Sequence, residues 1–172
     1  MKYHSPREYL EEARSPATTA ERLDILAETP WEFVRAAVAA NPNVSARTLL
    51  GLVPTGARPA DEPIALALAQ RRDATAETLR SLAKRFGRTN DWSGRNLNFA
   101  LGLALLANPA TPPDVVALLL DPKRTTPHFR SRVLSETQRV DVINALCQDA
   151  SEKVSKRARM KLEQMERPQG EQ

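Results

Sequence analysis

Four segments of this chain align without gaps, and this internal repetition constrains the fold more than any other feature. They cover residues 15–27, 41–53, 71–83 and 108–120. Their starts lie 26, 30 and 37 residues apart, so the unit is constant and the connections vary. The fifth column reads Thr19, Ser45, Thr75 and Pro112. A hydroxyl there accepts a backbone N–H and caps a helix start. In the last copy Thr111 is the expected cap, followed by prolines that tolerate the first turn. The ninth column is Leu23, Leu49, Leu79 and Val116, and the twelfth is Leu26, Leu52, Leu82 and Leu119. Three residues apart, they share one face of a short helix.

A second apolar run precedes each later copy, at 33–40, 64–69 and 97–107. The run 97–107 is apolar nearly all round, which predicts the most buried helix. Composition supports helix throughout. The chain has 25 Ala and 21 Leu against 13 Ile plus Val, and β-branched residues are what sheets favour. Each unit thus reads as a short capped helix, a connection, a second helix and an Asn-Pro-like break. The proline forces the residue before it out of the helical region. Such a unit buries its apolar faces only against neighbours, so the expected fold is all-α, a stack of helical repeats.

The stretch Val34-Arg35-Ala36-Ala37-Val38-Ala39-Ala40-Asn41-Pro42-Asn43-Val44-Ser45, followed by Leu49 and Leu52, resembles the variant leucine-rich repeat family, a relative of HEAT-like helical repeats. Asn108-Pro109-Ala110-Thr111-Pro112-Pro113 repeats the signature. The resemblance covers roughly residues 15–137. It implies a right-handed α-solenoid that serves as a binding scaffold. Some members add a cysteine-ligated iron–sulfur module. Cys147 is the single cysteine here, so that feature does not carry over. Arg71-Arg72 stands where the family has Asn-Pro.

The expected organisation is a cap at 1–14, repeats at about 15–40, 41–70, 71–107 and 108–136, a C-terminal cap at 137–167 and a disordered tail at 168–172. Helices are predicted near 18–27, 31–40, 45–53, 63–70, 75–86, 96–107, 113–120, 129–136, 138–148 and 151–165, after a short one at 6–13. The predicted core is Leu23, Leu26, Phe33, Val38, Leu49, Leu52, Leu66, Leu79, Leu82, Leu101, Leu105, Val116 and Leu119. In the C-terminal cap Val154, Ala158, Leu162 and Met165 form one stripe.

Motifs for chemistry are absent. There is no Gly-rich phosphate cradle, no His-Glu-x-x-His and no Gly-x-Ser-x-Gly. His4 and His128 alone do not make an ordinary zinc site. Cys147 reads as a buried thiol and His128 as a solvated loop residue. No cofactor, metal, membrane span or secretory leader is expected, and the chain is read as cytoplasmic and non-enzymatic. Asn41 and Asn108 admit two readings: a polar ladder toward a ligand, or capping and turn chemistry.

Charge is uneven. Residues 1–34 sum to −3, residues 35–100 to +5 and residues 101–172 to +2. The connection 84–96 carries Arg85, Arg88, Trp92 and Arg95 in the basic middle. With Arg71 and Arg72 these form a candidate partner-binding patch, since Trp and Arg are favoured at hot spots. The leading functional reading is a scaffold binding another protein through its inter-helix loops or concave face. The alternative is phosphate-backbone binding of nucleic acid by the Arg-rich middle.

Overall fold

A computed structural model describes residues 5–55, 61–86 and 97–166. These residues form eleven helices and no strand. They are α1 (Pro6–Arg14), α2 (Ala20–Ala27), α3 (Glu32–Ala40), α4 (Ala46–Leu52), α5 (Glu62–Gln70), α6 (Ala76–Phe86), α7 (Leu97–Ala107), α8 (Pro113–Leu120), α9 (Pro127–Glu136), α10 (Val140–Leu146) and α11 (Glu152–Glu166).

The repeated hydroxyl column starts the even helices as expected. Thr19 accepts from the Arg22 N–H at 3.4 Å, Ser45 from Thr48 at 3.1 Å and Thr75 from Thr78 at 3.2 Å. Each satisfies an otherwise orphaned donor of a first turn. The fourth copy differs. Pro112 occupies the cap position without a side-chain bond. Thr111 turns inward and donates to the Leu105 carbonyl at 2.5 Å, as Thr18 does to Glu12 at 2.6 Å. A hydroxyl one residue early reaches the preceding helix end rather than the following first turn. α9 begins at Pro127, two residues before the expected start, because Thr126 caps it on Phe129. His128 therefore lies in a first turn, tilted against Phe99 with ring centroids 6.1 Å apart.

The odd helices pack in succession, α1 on α3, α3 on α5, α5 on α7, α7 on α9 and α9 on α11. On their other side α2 meets α4, α6 meets α8 and α8 meets α10. The core lies between. Leu23, Leu26, Val38, Leu52, Leu79, Leu82, Leu101, Leu105, Val116 and Leu119 are buried. Leu49 and Leu66 are only half-buried, and Phe33 is 42% exposed. Leu66 and Phe33 sit on the side of α5 and α3 that faces away from the even helices. Met165 is also exposed, one turn beyond the last supporting contact of α11. Trp31 stands at the N-terminal end of α3 without a side-chain capping bond and stacks on Tyr9 at 5.3 Å between centroids, closing the seam between α1 and α3. Cys147 is buried.

The first column of the repeat ties one unit to the next. The Asn41 carboxamide donates to the carbonyls of Ala13 at 2.8 Å and Ser15 at 2.9 Å. Arg71 donates to Ala39 at 3.0 Å and to Asn41 at 2.8 Å. Asn108 donates to Ala69 at 2.8 Å and to Arg71 at 2.6 Å. Arg139 continues the series onto the carbonyls of Asn108 and Thr111. Asn41, Arg71 and Asn108 each reach a carbonyl near the end of the preceding odd helix and that helix's cap carbonyl, and each offers its own carbonyl to the next rung. These carbonyls have no partner inside their helices. Asn41 and Asn108 also accept the N–H groups of Asn43 and Ala110, so they follow the capping and turn reading, extended by bonds to the neighbouring unit rather than to a ligand. Arg71 performs with a guanidinium what Asn performs elsewhere, so the Arg71-Arg72 departure leaves the pattern intact.

Candidate protein-docking face

The odd helices leave one side unpacked. In α3, Phe33, Ala36 and Ala40 point there; in α5, Pro63, Leu66 and Gln70; in α7, Ala100, Leu103 and Ala107. These are equivalent positions on three successive helices, spaced by three or four residues, which is one helix face. None carries a charge. Two grooves open on this face. One, of about 420 Å³, runs along α3 between Arg14 and Pro63. The other, of about 720 Å³, lies between α5 and α7, with Arg72, Pro109 and Glu136 at its edge. Small side chains make the grooves: Ala37, Ala69 and Ala104 line their floors.

Sequence reading placed α7 as the most buried helix. Leu101, Leu105 and Leu106 are indeed buried, but Leu103 and Ala104 are half-exposed and Ala107 is exposed. An apolar surface all round has one side in the core and the other in the groove. The signal was present in the aligned second helices, whose outward columns lack charge. Periodicity alone does not separate a core contact from an exposed apolar seam.

The predicted patch divides. The Arg71 side chain is only 9% exposed and is spent on the ladder and on Asp73 at 2.6 Å. That pairing holds the Asp73 carboxyl below its usual range, chiefly through the Arg71 hydrogen bonds. Arg139 does the same for Asp141. Arg72 is exposed, has no partner among the described residues and stands at the rim of the larger groove. Arg88, Trp92 and Arg95 lie outside the described residues, and the Arg85 side chain is likewise not among those described. At the smaller groove Arg14 is exposed and has no partner among the described residues, while Glu136, at the larger one, pairs with Arg132 at 2.5 Å. Elsewhere in the basic middle, Arg80 is held by Asp114 at 2.8 Å, which lowers that carboxyl.

Among the described residues no cluster of His, Cys, Asp or Glu is placed to hold a metal, and no helix is long and apolar enough to cross a membrane. Comparison with protein-family models, curated proteins and solved structures gave no match. The face itself is what informs function.

Proposed function

We propose that this chain is a right-handed α-solenoid of the variant leucine-rich, HEAT-like kind, and that it acts as a non-enzymatic scaffold binding another protein on the outward face of α3, α5 and α7. The order of helix packing and the rung-by-rung ladder support the stack. The observation that carries the function is the uncharged face spanning three adjacent helices. Apolar surface rimmed by polar residues is the kind of surface that marks interaction sites. Phosphate binding by the Arg-rich middle fits less well, since Arg71 and Arg80 are committed to carboxylates and carbonyls within the fold.

The test is capture from the native cell with the tagged protein at physiological salt. Partners are identified by mass spectrometry and remeasured as purified proteins. Leu103 is half-exposed, so Leu103→Glu places a charge in the larger groove, with far-UV circular dichroism checking that the fold is kept. The reading predicts a purified partner whose affinity falls at least ten-fold with Leu103→Glu and changes little with salt. Binding to generic duplex DNA or RNA with a steep salt slope, unaffected by Leu103→Glu, contradicts it.

A further inference from the structure

We infer that the occupant of this face is a partner's amphipathic α-helix with acidic residues along one flank; the inference rests on the scaffold reading above. Three observations carry it.

The first concerns backbone. The groove floor is built from the middles and last turns of α3, α5 and α7, whose amides are paired within their own helices. One carbonyl at the C-terminal end of each of α1, α3 and α5 is taken by Asn41, Arg71 and Asn108 in turn. An extended peptide buried here has no partners for its own N–H and C=O groups, which is costly. A helix arrives with its backbone already satisfied and needs only an apolar seam.

The second concerns shape. Adjacent packed helices lie about 8–10 Å apart. Crossing from α3 to α7 therefore spans roughly 18 Å, or about 12 residues of helix. Alanines at the floor and Phe33, Leu66 and Leu103 as walls leave depressions for large apolar side chains.

The third concerns charge. Arg14 and Arg72 line the two grooves and have no partner among the described residues; Arg14 ends α1 and Arg72 lies just past the end of α5. They mark the same edge, two helix spacings apart. A ligand helix lying across the face brings carboxylates about three turns apart to both. The carboxylate lining the larger groove, Glu136, pairs with Arg132.

The probes are two synthetic 16-residue peptides with the same leucine-alanine seam. One carries Glu on the flank and the other Lys at the same positions. Binding to the full chain is read by fluorescence anisotropy, and oligomeric state by light scattering. The Glu peptide is expected to bind at least ten-fold tighter than the Lys peptide. Arg72→Glu should reverse much of that preference. Ala107→Arg, an exposed position whose change leaves the core untouched, should abolish binding of both. Equal binding of the two peptides, no binding of either, or a face closed by self-association overturns the inference. The native partner keeps the two proposals apart. If neither peptide binds while partner capture still fails with Leu103→Glu, the scaffold stands and the helical ligand falls. If capture ignores Leu103→Glu, the face itself is not the site.

Discussion

Arg71 and Arg72 are neighbours with opposite fates. The first sits in the repeat's break column and is consumed by carbonyls of the preceding unit and by Asp73. The second takes the column where other copies have proline and stays in solvent. Arg71→Ala leaves the buried Ala39 carbonyl without its donor and the Asn41 carbonyl with only the Val44 N–H, which costs about 1–3 kcal/mol. Arg72→Ala changes stability by less than about 0.5 kcal/mol, as surface substitutions usually do. Urea unfolding of the two variants checks both figures. The Asp73 carboxyl adds a pH dependence. Its folded pKa lies below the ordinary 3.8. The stability it contributes is therefore present above that value and lost as the pH falls through the folded one. Asp73→Asn should be less stable than the parent at pH 6, with the gap closing in melts below pH 3.8. The sequence showed the first column as a repeat but not its purpose. Asn was legible as a turn residue, whereas an Arg in the same column reads as surface charge until its guanidinium is seen on backbone carbonyls.

At the level of elements, helix existence and order were legible because caps and prolines punctuate the chain. Thr75→Ala removes the bond to the Thr78 N–H and should cost about 1 kcal/mol. Thermal unfolding of that variant, against Ala at the uncapping Pro112, tests whether the column acts through caps. The C-terminal corner held a feature that spacing does not reveal. Arg130 forks onto Asp149 at 2.5 and 3.1 Å, with side chains 2% and 1% exposed, and also reaches the Thr125 carbonyl. The pair joins α9 to the turn before α11, where Asp149 also accepts the Ser151 N–H at 2.7 Å. Removing one partner strands a buried charge, so Arg130→Ala or Asp149→Ala should cost about 3–5 kcal/mol in denaturant titrations. A loss below 1 kcal/mol in both would show that the pair is not buried in solution. Arginine 19 residues before an aspartate carries no periodic signature, so this contact was not readable from the chain.

For the whole molecule, the interior was more legible than the site. Leucines at three-residue spacing in the even helices point inward, and the structure buries nearly all of them. The docking face depends on which side of the odd helices remains uncovered, and that is settled by how helices assemble. Phe33 shows the difference: its spacing resembles that of a core residue, yet it lines a groove. The account makes one geometric claim above the others, that the outward side of α3, α5 and α7 is where a partner lies. Amide hydrogen exchange of the chain, alone and saturated with its purified partner, tests it most directly. The account predicts new protection in peptides covering 33–40, 63–70 and 99–107, with α4, α8 and α11 unchanged. Protection confined to α4, α8 or α11, with the three odd helices exchanging as before, would contradict it.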